Sequence, residues 1–187
     1  MWESLLAKAT KRKAFISFYQ GDNAWVDKFI QDFGDVFTPK VLGANSNDDF
    51  INSNDTAYVM SRIRQLYLGD SSVTINLIGN CTHSRRYVDW ELKSSLTQGQ
   101  SLPNGVLGII LPYKNGVAHF PERLLSNWNE GNLNCYAKVY RYPQSSDELR
   151  GWIEDAYEAR TTRAHLINNT RDMMRYNKTC DIHGITH

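Results

Sequence analysis

Val73-Thr74-Ile75-Asn76-Leu77-Ile78-Gly79-Asn80 decides the fold. Six residues, mostly aliphatic and β-branched, run without a wet face and end on a Gly-Asn turn, as in a strand buried on both sides. A helix follows over residues 84–96. Upstream, Ala14-Phe15-Ile16-Ser17-Phe18-Tyr19 reads as a second buried strand, closed by Gln20-Gly21-Asp22-Asn23. Beyond it Trp25, Val26, Phe29, Ile30 and Phe33 recur three and four apart, the stripe of an amphipathic helix. Asp22 or Asn23 is its expected cap and Gly34 its stop.

The same alternation continues on either side. Asp35-Val36-Phe37 offers a strand, residues 43–54 a polar loop, and residues 55–68 a helix. Residues 105–111 read as a buried strand stopped by Pro112, residues 113–133 as an irregular insertion, and residues 135–140 as the fifth strand. A C-terminal helical segment over 145–176 opens with Ser145 and Glu148 in capping-box spacing. It turns Leu149, Trp152, Ile153, Ala156 and Tyr157 inward. Strand and helix alternate five times with connections too long for hairpins. The pattern predicts an α/β fold: a five-stranded parallel sheet in flavodoxin-like order 2-1-3-4-5, with helices on both faces. Its ligand crevice would open at the carboxyl ends of strands 1 and 3.

At 187 residues the chain fits one domain and can bury roughly 70% of its unfolded surface. Lys+Arg 21 against Asp+Glu 20 leaves a net charge of +1, so no strong field draws it to nucleic acid or an acidic membrane. Residues 1–13, with Lys8, Lys11, Arg12 and Lys13, form a basic lead-in read as a solvated collar. No apolar run approaches the roughly 20 residues of a bilayer span, and the first residues lack a secretory pattern. A cytoplasmic protein is expected. Cys81, Cys135 and Cys180, odd in number and widely spaced, suit reduced thiols rather than a disulfide framework. Cys180, His183 and His187 have ligand-like spacing but read as a frayed tail, and no metal is expected.

The helix after the third strand carries the candidate chemistry. Ser84, Tyr87, Val88, Glu91 and Ser95 share one face. A covering helix normally turns an apolar stripe to the sheet, yet this face holds a carboxylate. Glu91 is either an edge residue paired with a lysine or arginine, or a desolvated acid near the crevice mouth. The helix start, with Arg85 and Arg86 beside it, suits a phosphate. Phe18 and Tyr19, leaving strand 1, either stack on an aromatic ring or plug the core. Asp48, Asp49 and Asp55 read as caps, with ribose or metal contact as the alternative. No phosphate-binding loop, dinucleotide fingerprint or nucleophile elbow occurs, which counts against NTPases, ordinary dehydrogenases and standard α/β-hydrolases.

The first strand resembles the opening strand of Toll/interleukin-1 receptor (TIR) domains. Ser84-Arg85-Arg86-Tyr87-Val88-Asp89-Trp90-Glu91-Leu92 is similar to the TIR segment in which an aromatic stands four residues before a catalytic glutamate. The run from Val73 to Val88 resembles most the bacterial TIR-like proteins of the Thoeris anti-phage system, the ThsB group. The resemblance covers about residues 13–96. It implies an enzyme that takes NAD+ as substrate, needs no separate cofactor, releases nicotinamide and makes a cyclic ADP-ribose isomer or related signal. It places Glu91 as the catalytic acid and Tyr87 as the preceding aromatic; beside it, the reading of the residues themselves offers Phe18 or Tyr19 against the base, Ser84 near ribose or phosphate, and Asp48 as a further substrate contact. The resemblance also implies a homo-oligomer, a separate effector reached by the diffusible signal, and a phage-derived trigger. Val88 departs from the cysteine common in TIR domains, and the 43–54 loop lacks the usual sequence. The alternative reading is a non-catalytic TIR-like adaptor that works through protein–protein contact. A phosphoacceptor domain is disfavoured, because neither Tyr19-Gln20 nor Ile78-Gly79 supplies the aspartate it needs.

Overall fold

The architecture was analysed in a computed structural model that describes residues 11–41, 55–99, 101–113 and 119–186. Its main sheet comprises β1 (Lys13–Ser17), β2 (Thr38–Val41), β3 (Val73–Ile78), β4 (Gly105–Ile110) and β5 (Lys138–Arg141). All neighbours are parallel and the order is β2-β1-β3-β4-β5, the arrangement expected from the alternation. The five helices are α1 (Asn23–Phe33), α2 (Thr56–Ile63), α3 (Arg86–Ser95), α4 (Glu122–Leu125) and α5 (Ser146–Thr162). A π-helical turn, Arg64–Leu68, extends α2.

Every residue of β3 is buried, as befits the central strand of a sheet covered on both sides. Its odd-numbered residues Val73, Ile75 and Leu77 join Ala14, Ile16, Leu107 and Ile109 beneath α1 and α5. From those helices Val26, Phe29, Phe33, Leu149 and Ile153 complete the layer. On the opposite face Phe15 packs with Val59, Met60 and Ile63 of α2 and with Trp90 of α3. Each such aliphatic side chain contributes about 1.5–3 kcal/mol on leaving water. At Gly105 a Cβ would lie 1.8 Å from the Ala156 carbonyl oxygen, so β4 and α5 meet backbone to backbone and only glycine fits.

Several expected boundaries move. The second strand is Thr38–Val41, not Asp35-Val36-Phe37; Val36 and Phe37 are buried in the turn before it. Pro39 is tolerated because β2 is an edge strand. The fifth strand starts at Lys138, after buried Tyr136 and Ala137. Within 113–133, α4 buries Arg123 and Leu124, so that stretch is not wholly irregular. Ser145 caps α5 by accepting from the Glu148 N–H at 3.2 Å, while the Glu148 carboxylate accepts from the Gln144 N–H at 2.8 Å. This helix stops at Thr162 rather than running on towards 176. After a 3-10 turn, Ala164–Leu166, the chain doubles back over α3 and ends in a small antiparallel pair, β6 (Thr179–Cys180) and β7 (Ile185–Thr186).

That returning tail overturns the cysteine reading. Cys81 and Cys180 form a disulfide across 99 residues of sequence, and Cys135 is the buried free thiol. Their spacing gave no hint of this, because the pairing is made by the tail's path rather than by local structure. The tail is not frayed there, and Cys180 is bonded to sulfur. Among the described residues no helix is long and apolar enough to cross a membrane.

Candidate active site

Glu91 sits in the middle of α3, facing the carboxyl end of β1. It is 4% exposed and has no cationic partner among the described residues. The Ser17 hydroxyl, on the last residue of β1, donates to its Oε2 at 2.6 Å. Ser17 shares the parity of Phe15 and therefore turns to the α3 side of the sheet. Asn76 Nδ2 donates in turn to the Ser17 carbonyl at 3.2 Å and to its hydroxyl oxygen at 3.3 Å. Asn76 Oδ1 is buried with no partner. Burial raises the Glu91 pKa to about 8, against the smaller downward pull of the Ser17 hydroxyl. The acid is thus neutral at neutral pH until a cation or an opening of the site draws off its proton.

The polar seam extends down the same face. Ser95 Oγ lies 2.8 Å from the Glu91 carbonyl, to which it donates, and 2.7 Å from the Thr74 hydroxyl. Asn104 Nδ2 donates to Thr74 Oγ1 at 3.2 Å. The hydroxyls and amides fill what is otherwise an apolar helix–sheet junction, and they fix α3 in one register against β1 and β3.

The crevice above the strand ends holds a second buried acid. Asp22 does not cap α1 with its side chain. Its carboxylate accepts from the Tyr113 hydroxyl and, at 3.5 Å, from the Thr82 hydroxyl. Burial pushes its pKa up, although these hydrogen bonds and the Arg85 charge pull the other way. Gly79 makes room for it: a Cβ there would stand 2.2 Å from Asp22 Oδ2. Arg85 is 6% exposed and stacks over the Tyr19 ring at 4.0 Å, with Nε and Nη2 buried and without partners. Desolvation lowers its pKa.

The expected site residues divide. Glu91 is brought to the β1 end, and no ion pair holds it. Tyr87 lies one turn earlier, edge-on to Trp90 at 5.3 Å, in the layer between α2 and α3. Tyr19 stands at the crevice beneath Arg85, whereas Phe18 packs with the core on the α1 side and plugs it. Ser84 is fully buried, and its hydroxyl donates to the Cys81 carbonyl at 2.8 Å, so it closes a turn rather than facing a ligand. Asp48 lies outside the described residues. Helix α3 starts at Arg86, not Ser84, and the Arg86 N–H already donates to Asn177 Oδ1 at 3.0 Å. The first amide of that helix is therefore already taken by the tail and not open to a phosphate.

Sequence periodicity missed Ser17, Asn76, Asp22 and the buried Asp89–Arg123 pair. Asn76 was the available signal, being an amide inside a strand buried on both faces. Asp89 lies off the face that Glu91 shares, yet it is 4% exposed and accepts from Arg123 Nε at 2.8 Å. Arg123 is fully buried and also donates to the carbonyls of Arg171 and Asp172. Together with the Trp90 indole N–H, which donates to the Met174 carbonyl at 2.8 Å, these bonds bind the tail to the outer side of α3. Two cavities open under the tail. One of about 360 Å³ is lined by His83, Arg85, Asp89 and Met174, and one of about 500 Å³ by His83, His119, Phe120 and Asp181. Glu91 lines neither.

A parallel sheet of this order with helices on both faces defines a doubly wound α/β protein of the flavodoxin-like class. Residues 15–116 match the family model of the Thoeris protein ThsB, TIR-like domain, and the chain belongs to that family. The match covers more than half the chain and reaches past the segment 13–96, through β4. It gives the chain a TIR-type role in defence. No curated protein matches it.

Proposed function

We propose that this chain consumes NAD+, breaking the bond between nicotinamide and ribose and passing the ADP-ribosyl group on as a cyclic or conjugated signal. One observation carries the reading: a carboxyl held by Ser17 at the end of β1, buried, with no ion-pair partner among the described residues. A structural acid in such a place would be expected to have a cation beside it. The substrate supplies one. As the N-glycosidic bond breaks, its electron pair moves to the pyridinium nitrogen and positive charge passes to the ribose as an oxocarbenium ion. An ionised Glu91 in a low-dielectric pocket stabilises that charge far more than it could in water. The approaching cation also favours loss of the Glu91 proton, so binding and activation of the acid are coupled.

Asp22 is engaged by Tyr113 and Thr82, which leaves Glu91, among the described residues, without a second free carboxylate to position water as a hydrolytic glycosidase would. Capture by a hydroxyl or ring nitrogen of the substrate itself is then favoured, with loss of one proton and formation of a cyclic product. Tyr19 and the Arg85 guanidinium stacked on it offer a flat face and a positive charge for the nucleotide. Tyr87, one turn before Glu91, lines the approach from the α2 side.

Glu91 is nearly sealed, so substrate entry requires the covering chain to give way. That fits an enzyme kept silent until a phage-derived component acts on it. Self-association and a separate effector that reads the product belong to the same proposal. The test is nicotinamide release from NAD+, followed by chromatography, with and without lysate from infected cells, for the wild type and Glu91→Gln. Release by the wild type with near-complete loss in the variant is expected. Equal release from both removes the acid from the reaction. No release from the wild type under either condition favours the adaptor reading.

A further inference from the structure

We infer that His83, His119 and Asp181 form a binding site for one divalent transition metal, zinc by donor chemistry, that ties the returning tail to the crevice loops. Their donor atoms lie within 4.8 Å of one another. His83 Nε2 and His119 Nδ1 each stand 3.6 Å from Asp181 Oδ2. Ligands at about 2.0–2.2 Å from a tetrahedral zinc are about 3.3–3.6 Å apart, so both histidine–aspartate pairs already stand at or near the required separation, and the two imidazole nitrogens, within 4.8 Å of each other, complete the third edge by turning towards the ion. Two imidazoles and a carboxylate form a donor set that zinc accepts readily.

The His83 ring is the second, independent observation. Its side chain is 10% exposed, and both ring nitrogens are buried with no partner within 3.5 Å among the described residues. A buried imidazole without partners is costly, and a metal bond to one of its nitrogens would offset part of that cost. A ligand histidine commonly passes its other N–H to a backbone carbonyl, and the Asn80 backbone lies beside this ring. The fourth position faces the cavity of about 500 Å³ that the three residues line, where water or an added ligand can complete the shell.

The three ligands come from three chain segments: the Thr82–Ser84 turn after β3, the residue before Phe120, and the residue after β6. A metal there would hold the tail independently of the nearby disulfide. Cys81, Cys180 and His183 form a neighbouring donor group that could compete for metal once the disulfide is reduced. The site lies outside the Glu91 seam, so its fate does not depend on the proposed reaction.

Calorimetric titration of Zn2+ into untagged, chelator-treated, oxidised full-length protein tests it, with Co2+ absorption as the second readout. One equivalent of Zn2+ is expected, a Co2+ spectrum of nitrogen and oxygen ligation, and affinity reduced at least about tenfold in His119→Ala and in Asp181→Asn. Both side chains are substantially exposed, at 36% and 67%, so the fold should tolerate either change. Three results would each overturn the proposal. These are no Zn2+ binding, binding unchanged in both variants, and a Co2+ spectrum with sulfur charge-transfer bands, which would place the metal on the cysteines.

Discussion

Glu91→Gln tests the environment of the acid without reference to any reaction. Burial raises its pKa from 4.5 to about 8. Between those values the folded chain keeps a proton that the unfolded chain has released, so stability falls as pH rises. The loss begins near pH 4.5 and levels off above about pH 8. At about 1.36 kcal/mol per pH unit, the full effect is about 5 kcal/mol. Yielding of the site around the ion brings the expected loss nearer about 2–3 kcal/mol. Glutamine keeps the shape and an acceptor for Ser17 but cannot ionise. Urea unfolding of both proteins from about pH 5 to about pH 8.5, disulfide intact, reads the difference. Asp22 also has a raised pKa, but it is common to both proteins and cancels. The variant should gain steadily on the wild type with rising pH. Parallel curves would refute the argument and mean that Glu91 is solvated or paired.

Three further substitutions probe what holds α3 and the tail. Arg123→Leu should cost about 3–5 kcal/mol in urea unfolding, because it leaves Asp89 buried and uncompensated. Adding Asp89→Leu should recover part of that loss, and a single-variant cost under about 1 kcal/mol would contradict the account. Cys180→Ser opens a loop of 99 residues, for which the chain-entropy model gives about 4–5 kcal/mol and typical measurements about 2–4. Its melting temperature should match that of reduced wild type and lie below that of the oxidised protein.

The sheet order was legible because each strand except the edges is a short apolar run, and connections too long for hairpins force a parallel arrangement. Apolarity marks burial, however, and not pairing. Val36 and Phe37 are buried yet stand outside the ladder, which is made by the plainer Thr38–Val41. Glu91 was legible as an acid on a sheet-facing stripe. Its partner Ser17 was not, since a lone serine inside a run read as strand through to Tyr19 gives no sign that the ladder stops there. The reading of α3 failed on its outer side for a non-local reason. Asp89 and Trp90 are buried by a tail more than eighty residues further on. Helical period reports the faces of a helix, not the number of layers laid over them. The disulfide was hidden in the same way.

The match to the family ends at residue 116, whereas β5, α5 and the tail all come after it. Cut there, β4 would become a bare edge, and Leu149, Ile153 and Ala156 would be stripped from the layer beneath α5. The clasp of Met174, Asn177 and Cys180 on the outer side of α3 would go as well. Kinship in this chain therefore resides in one stretch and closure in another. A fragment trimmed to the recognisable part would keep Glu91 and Ser17 but lose the layers that press α3 and the sheet together around them.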